Sequence, residues 1–155
     1  MNHSQLANKD FFVDQLVFID TNIKDLTDLY LSSTPLHERL KHFFSLYVLE
    51  VEELLKQNRQ AGFITRIPKV FIGTKVTVLY DEDGDTEDYV ICFPEDSDPD
   101  QGFISFLSPV GRQLLLKGVG EQISLRIPTG ELPVTIKEIS YVGHLFEAKR
   151  NTKEA

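Results

Sequence analysis

Residues 108–130 read SPVGRQLLLKGVGEQISLRIPTG. A hydroxyl followed by a proline is the signature of a helix start, with Ser108 as N-cap and Pro109 at the first helical position. Leu114, Leu115 and Leu116 supply a packing face, and Gly118 or Gly120 is expected to end the helix. Ile123, Leu125 and Ile127 then alternate with polar residues, which is a strand pattern. One short capped helix set between strands puts this part of the chain in the α+β class.

Working outward, the period of two persists on both sides of that helix. Val76, Val78 and Tyr80 share one face of a strand over 75–80, and Tyr89–Phe93 forms the next. Asp83-Gly84 between them is a hairpin signal. Phe103–Leu107 makes a third strand, and Val134, Ile136 and Ile139 mark a fifth after the turn PTGELP. The expectation is an antiparallel sheet over 66–148 carrying one short helix, with a frayed tail at 149–155.

Residues 1–65 follow a different period. Phe12, Leu16, Ile19, Ile23, Leu26 and Tyr30 are spaced 4, 3, 4, 3, 4, a coiled-coil-like seam. SSTP interrupts it, and Thr34-Pro35 restarts a helix whose seam is Leu36, Leu40, Phe43, Tyr47, Val51 and Leu54. Two helices joined by so short a turn form an antiparallel hairpin. The apolar stripe over 36–55 is wider than a two-helix seam covers, so the sheet domain, a partner or a second copy in a homodimer is expected to cover the rest.

Composition bounds the function. The 155-residue chain carries 24 acidic and 16 basic side chains, a net charge of −8, and both segments are acidic. An autonomous nucleic-acid binder needs a basic face, so nucleic acid is expected only indirectly, through a protein partner. No apolar run reaches the roughly 20 residues that span a bilayer. The start MNHSQLANKD lacks a signal-peptide pattern, and the reading is a cytoplasmic protein with no membrane contact. The lone Cys92 excludes an intrachain disulfide and sits in an apolar run as a small buried filler.

Catalytic and metal chemistry find little support. Asp81, Asp83 and Asp85 imitate the start of a calcium loop, but the glycine falls at the fourth position rather than the sixth. His37 and His42 are five apart, poor spacing for ligands on one helical face. Neither a nucleophile elbow, nor a phosphate loop, nor a CxxC pair occurs, so the expectation is a non-enzyme without cofactor, metal or catalytic residues.

The stretch from Val70 to Tyr141 resembles the C-terminal domain of the GreA/GreB transcription elongation factor family. Gly73, Gly102, Ile104, Ser105, Ser108, Pro109, Gly118, Gly120, Pro128 and Gly130 match its pattern in order. The resemblance implies an FKBP-like domain that docks on bacterial RNA polymerase at the rim of the secondary channel. It places Leu107, Ser108 and Pro109 in the docking segment, with Leu107 where family members often carry Asp or Asn. The family's cleavage factors present an acidic pair at the tip of a long coiled coil, where it helps to hold a catalytic magnesium ion. Here the tip is LYLSSTPLHE: Ser32, Ser33, Thr34 and Pro35 form the bend, Glu38 is its nearest acid, and Asp28 lies about two turns before. The resemblance therefore implies a polymerase-binding regulator that does not stimulate transcript cleavage. The alternatives are a homo-oligomeric interaction module that has left the polymerase, a cleavage factor using Glu38 or Asp28, and, by fold analogy alone, a prolyl isomerase.

Overall fold

The change of period near residue 65 divides the molecule. A computed structural model describes residues 7–30, 34–58, 63–64, 66–143 and 145–146, and for 7, 8, 23–30, 34–41 and 63 it describes the backbone alone. The chain separates into two compact units, residues 8–64 and the chain from 65 onward together with 1–7.

The first unit holds a helical hairpin of α1 (Lys9–Tyr30) and α2 (Thr34–Gln57); the two-residue strands β1 (Ala7–Asn8) and β2 (Phe63–Ile64) pair with each other. Helix α2 begins at Thr34, one residue earlier than the capping pattern placed it. The buried line of α1 is Phe12, Gln15 and Ile19, and that of α2 is Phe44, Tyr47, Val51 and Leu54. Leu16 and Phe43, read as seam residues, are only half-buried. The stripe is wide enough for the seam to settle one position away, and a polar pair fixes the choice. The Tyr47 hydroxyl donates to Oε1 of Gln15, satisfying a carboxamide that is 5% exposed. The ring of Phe43 stacks beside Tyr47, with centroids 6.1 Å apart. The other expected seam side chains, Ile23, Leu26, Tyr30, Leu36 and Leu40, lie outside the described side chains.

The second unit is a five-stranded sheet in the order β5-β4-β3-β7-β6. Its strands are β3 (Thr74–Tyr80), β4 (Thr86–Cys92), β5 (Phe103–Ser105), β6 (Gln122–Ile127) and β7 (Gly130–Tyr141). Val76, Val78, Ile91, Leu125, Val134 and Ile136 turn one face into the core, where Phe71, Phe106 and Leu114 meet them, all at most 1% exposed. Cys92, on the opposite face of β4 from Ile91, is also buried, its thiol directed to the carbonyl of Ile104 at 3.4 Å.

The sheet departs from the expected all-antiparallel pairing at one edge, because β5 lies parallel to β4. The link between them, rather than a tight hairpin, is two single-turn 3-10 helices, Pro94–Asp96 and Pro99–Gln101, which bring the chain back to start β5 beside Val90. Gly102 completes this return in a left-handed conformation (φ 80°), with its carbonyl accepting the Val90 N–H at 2.8 Å.

The uneven spacing of Val134, Ile136 and Ile139 also has a structural cause. Thr77 pairs with Glu138 and Val78 with Ile136, so Lys137 is an extra residue and β7 carries a bulge. The bulge resets the alternation: Lys137 and Glu138 are exposed, and burial resumes at Tyr141.

Candidate protein interface at the Ser-Pro helix start

Helix α3 (Pro109–Leu114) has six residues and a fully made N-terminus. Ser108 is extended (φ −65°, ψ 156°), as an N-cap must be. Its Oγ accepts the Gly111 N–H at 3.1 Å and donates to the Ser105 carbonyl at 2.7 Å. Its own N–H donates to that same carbonyl at 3.0 Å, and the Leu107 N–H donates to Ser105 Oγ at 3.0 Å. Ser105 and Ser108 thus bind the strand end to the helix start through four hydrogen bonds within one turn of chain. Gly111 is part of the joint: a Cβ there would stand 2.1 Å from the Ser105 carbonyl oxygen and 2.9 Å from Ser108 Oγ.

The helix ends earlier than its sequence suggests. The sequence places its end at Gly118 or Gly120, but Leu115 is the C-cap, and Leu116 adopts a left-handed φ of 66°. The backbone here trades helical bonds for strand-like ones. The Leu116 N–H donates to the Val70 carbonyl at 2.8 Å, the Val70 N–H donates to Lys117 at 2.9 Å, and Lys69 bridges to Gly118. Leaving the helix lets the consecutive residues Leu114 and Leu115 both be buried, which a continuing helix would set about 100° apart. Gly120 instead enters β6, donating its N–H to Ile136 at 2.7 Å.

Gln113 fastens α3 to the sheet edge. Its Oε1 accepts the Arg126 N–H at 2.7 Å, and its Nε2 donates to the Arg126 carbonyl at 2.8 Å. Nε2 also donates to the Pro109 carbonyl at 2.8 Å. The carboxamide thereby occupies the outer edge of β6 at Arg126, where no strand lies, and blunts it against stray pairing.

Leu107 and Ser108 are half-exposed and Pro109 is exposed, so the three predicted docking residues lie together on an accessible helix start. Pro109, Arg112, Gln113 and Arg126 line a shallow hollow beside it of roughly 410 Å³. Ser32 and Ser33 lie outside the described residues, and Thr34, Pro35 and Glu38 are described only as helical backbone at the start of α2. Among the described residues, no group of three or more His, Cys, Asp or Glu is arranged to hold a metal ion, and no helix is long and apolar enough to cross a membrane. Sequence reasoning missed Gly111, Arg112, Gln113 and Arg126. A glycine inside a six-residue helix is itself a signal of close approach, but the Gln113–Arg126 pairing is tertiary and leaves no pattern in the sequence.

Residues 65–141 match the family described as Transcription elongation factor, GreA/GreB, C-term. A transcription elongation factor GreA of Nitratiruptor sp. is 32% identical over 112 residues, covering 71% of this chain and 68% of that protein. The GreA of Chlorobium phaeovibrioides is 43% identical over 72 residues, covering 46% of this chain and 45% of its own. Against several such relatives the chain spans about half of the relative's length. A solved GreA/GreB elongation factor from Nitrosomonas europaea is 27% identical, covering 59% of this chain and 79% of its own at a TM-score of 0.44. On this coverage and identity, the chain belongs to the GreA/GreB transcription elongation factor family.

Proposed function

We propose that this protein is a cytoplasmic, non-enzymatic regulator of transcription. It docks on bacterial RNA polymerase near the secondary channel through Leu107, Ser108 and Pro109, and does so without stimulating transcript cleavage. Nucleic acid is met only through the polymerase. In domain terms, residues 1–65 serve as the arm, 66–148 as the docking domain and 149–155 as a tail. The observation that carries the docking half is the rigid presentation of an exposed Pro109 by the capped Ser105–Ser108 joint, at the segment the family uses for docking. A preformed joint lowers the ordering cost of association.

The non-cleaving half rests on sequence. A magnesium ion needs oxygen ligands held together, and the SSTP bend offers two serines, a threonine and a proline, with Glu38 as its nearest carboxylate. A cleavage assay on backtracked elongation complexes tests it. The protein is expected to leave cleavage at its intrinsic rate, and Asp28→Ala with Glu38→Ala to change nothing. Stimulation abolished by that pair would establish the cleavage-factor reading instead.

A second reading, a homo-oligomeric interaction module, is favoured by one observation: Val17 and Leu49 on the arm are 59% and 61% exposed. Sedimentation of the full chain separates the two. A monomer at tens of micromolar supports the polymerase reading, and a stable dimer dispersed by Leu49→Glu supports the module.

A further inference from the structure

We propose that the hollow beside the Ser-Pro start is a receptor for carboxylate side chains, so that the docking partner meets this protein with an acidic surface element. The inference rests on the polymerase-docking reading for its biological setting and deepens it by naming the chemistry of the contact.

Three observations converge. The hollow is lined by Pro109, Arg112, Gln113 and Arg126, with no carboxylate, in a chain whose net charge is −8. Two arginines lining one concavity are a local reversal of the molecule's sign. They are held in place: Gln113 ties the backbone of α3 to that of β6 through its three hydrogen bonds, so the Cα positions of Arg112 and Arg126 are fixed relative to each other. One guanidinium is also oriented. Arg126 Nε lies 3.7 Å from Glu131 Oε1, and Ser124 Oγ donates to Oε2 of the same Glu131 at 3.0 Å. That contact uses the Nε side of Arg126, whose side chain remains 82% exposed. Among the described residues no carboxylate lies in ion-pair range of Arg112, which is exposed on α3.

Arginine forks bind carboxylates in a planar, two-bond geometry, and two forks on a rigid frame accept two acids spaced along a partner element. Phosphate would suit the forks as well. A nucleic-acid strand is disfavoured because the domain carrying the hollow is itself acidic, its stretch from Asp81 to Asp100 holding ten carboxylates and no basic residue. Glu131 beside Arg126 adds to that repulsion for an extended polyanion. The exposed Pro109 at the rim adds a rigid apolar contact.

The test has two arms. In the first, isotope-labelled protein is titrated with a short end-capped peptide carrying two glutamates, with a single-stranded RNA oligonucleotide of equal charge, and with inorganic phosphate. The Nε–H signals of Arg112 and Arg126 are expected to move together with the peptide, and not in Arg112→Gln/Arg126→Gln. Movement with RNA or phosphate but not with the peptide overturns the proposal. In the second, binding to bacterial core RNA polymerase is compared for the natural chain and for Arg112→Glu/Arg126→Glu. Each reversal is expected to weaken binding about tenfold and to flatten its salt dependence. Undiminished binding by the reversed variant overturns the carboxylate contact while leaving polymerase docking intact. Absence of binding by the natural chain overturns the docking reading, and the peptide arm then decides the receptor chemistry alone.

Discussion

Replacing Ser108 by alanine isolates the joint on which the proposed docking rests. The hydroxyl makes two bonds, accepting from Gly111 N–H at 3.1 Å and donating to the Ser105 carbonyl at 2.7 Å. The carbonyl keeps a partner after the change, because the Ser108 N–H also donates to it. The Gly111 N–H loses its partner, and Gly111 is buried. Loss of an N-cap of this type costs about 1 kcal/mol, and the second bond adds about 0.5 kcal/mol. The sum, about 1.5 kcal/mol, lowers the melting temperature of a domain of this size by roughly 6–12 °C. Urea unfolding followed by circular dichroism reads the loss as a shift in midpoint at constant slope. Amide exchange at Gly111 reads it locally, with faster exchange expected at that one N–H. Ser108→Asp keeps the acceptor and is expected to recover most of the loss. A loss below about 0.3 kcal/mol with unchanged Gly111 exchange would show that the joint is not held by its cap, and that reasoning about a preformed face is wrong.

Other consequences follow from the same geometry. Gly111→Val sets a branched side chain against the Ser105 carbonyl, which a Cβ alone would approach to 2.1 Å, and is expected to cost 2 kcal/mol or more by thermal melting. On the arm, Tyr47→Phe removes the donor to the buried Gln15 carboxamide and is expected to cost about 1–2 kcal/mol, whereas Tyr47→Phe with Gln15→Leu costs less than the two single changes added; strict additivity would show the pair to be uncoupled. Burial and hydrogen bonding to Glu87 raise the Tyr80 pKa. Burial and the Tyr80 hydroxyl, 2.9 Å away, raise that of Tyr89. Both stay protonated in the folded state above the pH, near 10, at which the unfolded chain loses its protons, so their stabilisation is complete below pH 10 and is lost as pH rises beyond it. Tyr80→Phe/Tyr89→Phe is expected to flatten that alkaline decline in urea midpoints; an unchanged slope would refute the assignment.

The legible parts of the fold were those written in local chemistry. Ser108-Pro109 announced a capped helix, Asp83-Gly84 a hairpin, and the spacings of 3 and 4 before residue 58 a pair of helices. What the sequence could not show was set by distant partners. The end of α3 at Leu114 is decided by Val70, about 45 residues earlier, taking over the hydrogen bonds of Leu116 and Lys117. The parallel placement of β5 depends on a return through two prolines, whose local signal is only a turn. Lys137 looks like an ordinary exposed strand residue, and only the odd gap between Ile136 and Ile139 hinted at a bulge. On the arm, the seam moved to Gln15 and Phe44 because a buried hydroxyl and carboxamide found each other. The capped helix start was legible because the Ser-Pro motif is local; the hollow beside it was not, because Gln113 and Arg126 meet only in the fold.

Equilibrium binding of the full-length protein to bacterial core RNA polymerase, with Pro109→Ala alongside, tests the central claim most directly. The account predicts saturable binding that Pro109→Ala weakens while the melting temperature of the variant stays within a few degrees of the natural chain. Lack of saturable binding at tens of micromolar, or equal binding by Pro109→Ala, would contradict it.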